Sequence, residues 1–229
     1  MHAPAPEATL KATGYREERR AAWILGAFAL SEGLWCVVNF VSDPAGFLSY
    51  LGFAPGRAGT PTAWIAALLV TAAYIAKSLQ LPSVREHLVR PSWLKALAIV
   101  MALVAAVLEE AFFRRMWMDY LARREIGPVV QILTSGLLFG IAHGVWGLFG
   151  RSVRAAAWPI AITGVLGTAL AGVYVLGGRS LAPCIAAHFL LDVAIEPGLV
   201  LAALRGEMAV RGRRARAAPE SLPVRPSKG

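Results

Sequence analysis

Charge is scarce in this chain: 16% of its 229 residues are Asp, Glu, Lys or Arg, against 57% that are hydrophobic. A soluble globular domain carries roughly 25% charged residues, so this composition excludes one. The apolar residues also run in long blocks, which read as membrane spans rather than as a water-excluded core. Acidic residues are the scarcer sign, 14 against 23 basic, for a net charge of +9. The basic residues stand at the ends and in the gaps between apolar blocks, as anchors to anionic lipid headgroups do. The lipid bilayer is therefore the expected partner, and nucleic acid is not. Cysteine is nearly absent. Cys36 and Cys184 both fall inside apolar blocks and read as small buried side chains, with no zinc-type cysteine spacing. The HExxH pattern is missing too. So is a cleavable signal: residues 1–20 are polar and end in REERR, with no small-residue cleavage site before the first apolar block. No internal repeat stands out.

What remains is an all-α, polytopic membrane bundle of about six spans. Apolar blocks run over 21–41, 63–79, 93–121, 129–149 and 156–176, and a sixth starts at Ser180. Asp43-Pro44, Pro55-Gly56, Gly127-Pro128 and Gly177-Gly178 punctuate them, and Glu196-Pro197-Gly198 breaks the last. The expected organisation is a disordered cytoplasmic lead over 1–20, two spans and a connection over 21–92, a core over 93–204 and a basic disordered tail over 205–229. Glu32 lies at unusual depth in the first span, with no motif around it. It reads as a carboxylate facing other helices, paired or protonated.

The stretch VAAVLEEAFFRRMWMD, Val104 to Asp119, holds the densest chemistry. Helical spacing puts Glu110 and Arg114 on one face, where they can pair. Glu109 points about 100° away from Glu110 and has no basic residue three or four positions on. A carboxylate at the end of an apolar helix is costly unless it is paired or used. Two further helices carry polar anchors: Phe139 and His143 stand four apart, as do His188 and Asp192. Either histidine alone reads most simply as a structural side chain. Two histidines and an unpaired glutamate on three separate spans read as a site. A glutamate can take a proton from water while a histidine orients that water. A second histidine, its ring fixed by Asp192, can steady the oxyanion formed when water attacks an amide. The set Glu109, His143 and His188 suits a zinc ion equally well, and the spacing leaves metal open. A proton relay in a small carrier is a further reading, although carriers usually show paired repeats.

Glu109-Glu110 with Arg114 resembles the EExxxR motif of the CAAX protease and bacteriocin-processing family of intramembrane proteases, also called ABI. Phe139 to His143 is similar to that family's FxxxH motif. His188 to Asp192 is similar to its third motif, HxxxN, with Asp192 where asparagine is usual. The resemblance covers Trp93 to Ile195. It implies a glutamate-dependent proteolytic centre in which Glu109 and His143 activate the water. His188 and Asp192 would face the oxyanion, and Glu110, Arg114 and Phe139 would support them. An ionised aspartate cannot donate a hydrogen bond, so orienting His188 is the expected role of Asp192. The family has been described both as metal-dependent and as metal-independent. Its substrates are prenylated C-termini, bacteriocin leaders or membrane-anchored tails. The Ala/Arg-rich composition suggests a high-GC bacterium, which favours a multi-pass inner-membrane protein acting on C-terminal sorting tails. Basic residues place the N-terminus, the 77–95 connection and the C-terminal tail inside, and the site nearer the opposite face. The alternative is a non-enzymatic maturation, immunity or scaffold protein with the same fold.

Overall fold

A computed structural model describes residues 6–145 and 153–208. The regular secondary structure among the described residues is all helical, with no strand. They form α1 (Pro6–Ser42), α2 (Pro44–Leu51), α3 (Pro61–Ser78), α4 (Pro82–His87) and α5 (Trp93–Glu110). A π-helical segment (Ala111–Met118) continues α5 into α6 (Asp119–Ala122). Then follow α7 (Pro128–His143), α8 (Val153–Leu176), α9 (Ala182–Ile195) and α10 (Gly198–Leu204).

The starts of these helices are written locally. Asp43 caps α2 by accepting from the Gly46 amide at 2.9 Å. Thr60 and Ser92 cap α3 and α5 through the amides of Ala63 and Lys95, at 3.2 and 3.1 Å. Each side-chain oxygen satisfies one amide that the first turn leaves without a partner. Proline at the first position of α2, α3 and α7 costs no hydrogen bond there.

Six spans were expected; the described helices give fewer. Four are long and apolar enough to cross a membrane: Gly14–Ser42, Pro61–Ser78, Trp93–Ala122 and Ala156–Leu176. A fifth results only if α9 and α10, bent by 58° at Pro197, count as one. Helix α7 is apolar but has 16 residues, about 24 Å at the usual rise, short of a bilayer core. The expected block ran to Phe149, whose last residues lie outside the described ones, as do Arg151 and the tail from 209. The N-terminal lead also departs from expectation over its described part, because α1 begins at Pro6.

Helix α5 stands at the centre, packed by α1 on one side and by α9 on the other. Helices α7 and α8 form the closest pair. A Cβ added at Gly136 would meet the backbone of Thr168 and Gly164, and one at Gly140 the Ile160 carbonyl and Gly164. Small residues let the two backbones touch, which substitutes for a hydrophobic driving force between helices in lipid. Helices α3 and α9 run side by side in the same direction. Thr60 Oγ1 donates to the Leu176 carbonyl at 2.8 Å, Ser180 Oγ to that of Arg57 at 2.6 Å, and further along Thr71 Oγ1 to that of Ala187 at 3.3 Å. Outward faces carry Leu30, Leu34, Leu133, Leu137 and Ile141, exposed to what would be lipid.

Two polar fastenings close the bundle. Lys95, at the start of α5, donates to the carbonyls of Val193, Ala194 (3.4 Å) and Glu196 (2.6 Å) at the end of α9. These carbonyls have no continuing helical turn to serve them. At the rim, Arg205 reaches Glu17 at 3.0 Å, Ser83 at 2.9 Å and Glu86 at 3.4 Å. It thereby joins α1 and α4 to the end of α10.

Candidate active site

The polar side chains that the sequence singled out on three helices lie together inside the bundle, but in two unequal groups. The first is closed. Glu110 and Arg114, both with 0% side-chain exposure, form an ion pair at 3.0 Å. Arg114 Nη2 also donates to the Gly167 carbonyl at 3.2 Å, which ties α5 to α8. Glu110 Oε1 then meets His188 Nδ1 at 2.9 Å, and His188 Nε2 meets Asp192 Oδ2 at 3.4 Å. An imidazolium donates from both ring nitrogens, and here both meet carboxylates.

The second group is open. Glu109 Oε2 faces His143 Nε2 at 3.7 Å, with 22% and 18% side-chain exposure respectively. His143 Nδ1 lies 2.8 Å from the Phe139 carbonyl. A carbonyl only accepts, so Nδ1 carries a proton, and in the neutral ring Nε2 then presents a lone pair toward Glu109. Two acceptors therefore converge at a distance too long for a direct hydrogen bond. A water donating to both would satisfy them.

Phe139 separates and supports the two groups. It is fully buried. Its ring stacks on His143 at 4.4 Å, meets His188 edge-on at 5.7 Å and lies under the Arg114 guanidinium at 4.8 Å. It can sit so deep because Gly167 leaves room: a Cβ there would collide with the Phe139 side chain. The π-helical segment starts directly after Glu110, and such segments are often found at functional sites. It carries Arg114 inward on the α8 side.

Both groups border one cavity of about 220 Å³, lined among others by Glu32, Tyr74, Glu109, His143, His188 and Asp192. The sequence marked Glu32 without a motif to explain it. In the structure it faces this cavity, and its Oε2 is buried with no hydrogen-bond partner among the described residues. Tyr74 went unremarked. An aromatic residue in an apolar span carries no signal of its own, and only the packing of α3 along α9 reveals it. The contact between His188 and Glu110 was also unforeseen.

Glu109, His143 and His188, the set named for zinc, do not converge as three ligands. Both ring nitrogens of His188 are taken by Glu110 and Asp192. Among the described residues no group of three or more His, Cys, Asp or Glu side chains is disposed to hold a metal ion.

The fold and the site define a polytopic helical membrane protein with a carboxylate–histidine cluster inside its bundle. Residues 91–194 match the family model described as Type II CAAX prenyl endopeptidase Rce1-like, and this part of the chain is similar to that CAAX protease family. The match contains both glutamates, Arg114, Phe139, both histidines and Asp192; Glu32 and Tyr74 lie outside it. Neither a curated protein nor a solved structure matches the chain.

Proposed function

We propose that the protein is an intramembrane endopeptidase, hydrolysing a peptide bond of a membrane-associated protein or peptide with water activated by Glu109 and His143. The observation that carries this reading is the convergence of Glu109 Oε2 and His143 Nε2, two acceptors 3.7 Å apart at a cavity inside the bundle. Water held between them loses a proton to Glu109 as its oxygen attacks the carbonyl carbon. His143 orients that water through its lone pair. His188, its ring fixed between Glu110 and Asp192, borders the space in which the oxyanion develops. The proton on Glu109 then passes to the leaving nitrogen as the C–N bond breaks. The products are a carboxylic acid and an amine.

The match to CAAX prenyl endopeptidases supports the reaction class. The substrate class we favour is a C-terminal tail with one apolar segment and a basic end. An acidic cavity inside the bundle suits such a tail, and nothing in its lining selects a prenyl group. The bacterial inner membrane is the expected setting.

The test uses the full-length protein in liposomes. One probe is a reporter with a single apolar span and a basic tail, labelled with fluorophore and quencher on either side of the junction. The other is fluorescein-labelled casein. Wild type is expected to cleave at least one of them. Glu109→Ala is expected to lose about 10²- to 10⁴-fold, the usual worth of a general base. Cleavage by Glu109→Ala at the wild-type rate would remove the assignment. Both proteins are also assayed with a strong chelator, and unchanged wild-type activity is expected, since no step here runs through a metal.

A further inference from the structure

Amide hydrolysis by activated water needs a hydrogen-bond donor at the oxyanion, and the donor is normally supplied by a group already in place. In this cavity the side-chain donors can be counted one by one. His143 spends its Nδ1 proton on the Phe139 carbonyl, and its Nε2 faces Glu109, as an acceptor in the neutral ring. His188 has a carboxylate at each ring nitrogen, Glu110 on one side and Asp192 on the other. Thr163 donates to the Pro159 carbonyl at 2.7 Å. Arg114 and Lys95 do not line the cavity; one is spent on Glu110 and the Gly167 carbonyl, the other on the end of α9. Ionised carboxylates accept, and a carboxyl donates only in its protonated form. Among the lining residues the Tyr74 hydroxyl is the donor that keeps its proton whatever the ionisation of its neighbours and is not already spent on a protein acceptor.

Its placement is fixed by the fold. Thr71, one helical turn earlier on α3, is bonded to the Ala187 carbonyl, next to His188 in sequence. Because α3 and α9 run in the same direction, Tyr74 advances along α9 from that contact toward Asp192, about 4.5 Å further on. Tyr74 lies in the electrostatic field of Asp192, and its hydroxyl donates to no protein group among the described residues.

We infer that Tyr74 is a further catalytic residue, whose hydroxyl donates a hydrogen bond to the oxyanion of the tetrahedral intermediate. This rests on the hydrolase reading given above. Water oxygen bonds to the carbonyl carbon, its proton goes to Glu109, and the carbonyl π electrons move onto oxygen. Tyr74 donates to that oxygen and keeps its own proton. When the C–N bond breaks, the carbonyl reforms, Glu109 returns the proton to nitrogen and Tyr74 is released unchanged. Tyr74 and Asp192 border the same space, so a donor placed at residue 192 can replace the missing hydroxyl. Asparagine there retains an oxygen for His188 Nε2 and adds an N–H.

The experiment compares wild type, Glu109→Ala, Tyr74→Phe, Asp192→Asn and the Tyr74→Phe/Asp192→Asn pair on the two probes above. Thermal unfolding in detergent checks that each folds. Tyr74→Phe is expected to lower kcat about 10²- to 10³-fold with little change in KM, the effect of removing one oxyanion donor. Adding Asp192→Asn to Tyr74→Phe is expected to restore about tenfold or more of that loss. A folded Tyr74→Phe with wild-type kcat, beside an inactive Glu109→Ala, overturns the role of Tyr74 and leaves the hydrolase reading standing. A loss that Asp192→Asn does not restore means that the tyrosine serves only packing, and likewise overturns it. A wild type that cleaves neither probe removes the hydrolase reading, and the inference falls with it.

Discussion

Glu109 and Glu110 are the same residue, one peptide apart on one helix, yet they belong to regions of opposite character. Glu110 faces α8 and α9, where Arg114 and His188 close around it, Arg114 is held in turn by the Gly167 carbonyl, and no solvent reaches the pair. Glu109 faces a cavity, with His143 as its neighbour at 3.7 Å and an Oε2 that no hydrogen bond satisfies. A buried charge without its counter-charge is among the costliest defects a fold can carry. A carboxylate oxygen that faces a cavity without a protein partner is placed to accept a hydrogen bond from water or substrate. The first carboxylate holds three helices in place; the second is kept free at some expense in stability.

The largest effect expected on this contrast comes from breaking the closed side. Arg114→Met strands the Glu110 carboxylate and frees the Gly167 carbonyl. It should lower stability by about 3–5 kcal/mol, read as loss of folded protein in detergent. Next is an indirect opening of the same side through Gly140→Leu, which forces α7 and α8 apart at the Ile160 carbonyl. A cost of about 1–3 kcal/mol is expected from overpacking. Cleavage should fall as well, because Phe139 loses its seat against Gly167.

The open side should respond in the opposite sense. Glu109→Gln removes a charge that nothing neutralises well, so its thermal midpoint should equal or exceed that of wild type while cleavage is lost. A clear fall in the midpoint would show that Glu109 too is a fastening, and the contrast would collapse. The smallest effect is expected at the rim. Arg205 there holds Glu17 and Glu86, but its own side chain is 29% exposed and that of Glu86 is 48% exposed. Arg205→Gln should cost about 0.2–1 kcal/mol, and the difference from wild type should shrink as salt is raised.

Much of this was readable in the sequence, for reasons that can be named. The scarcity of charge and the long apolar blocks led to a helical membrane bundle. The pairing of Glu110 with Arg114 followed from i,i+4 spacing alone. The separate standing of Glu109 followed from its turn of the helix. Three things were not readable. The short span of α7 was hidden because hydropathy continues past His143, although the helix does not. The π-helical segment was hidden because AFFRRMWM has no local mark that distinguishes an i→i+5 turn from an α turn. The partners of His188 and the cavity faces of Glu32 and Tyr74 were hidden because each joins residues far apart in the chain. Glu32 was at least conspicuous by its depth. Tyr74 became legible only once α3 lay along α9.

The Glu110–Arg114 pair also matters before the protein is finished. Lys95 bonds to Val193 across a separation of 98 residues, and His188 follows Glu110 by 78. At a synthesis rate of about 5–20 residues per second, α5 waits on the order of 4–20 s for these partners. During that interval a lone glutamate and a lone arginine would each resist entry into lipid. Placed four apart on one helix, they arrive already neutralised, with no help from any later segment. The nascent span can thus settle in the bilayer first and find its neighbours around the cavity afterwards.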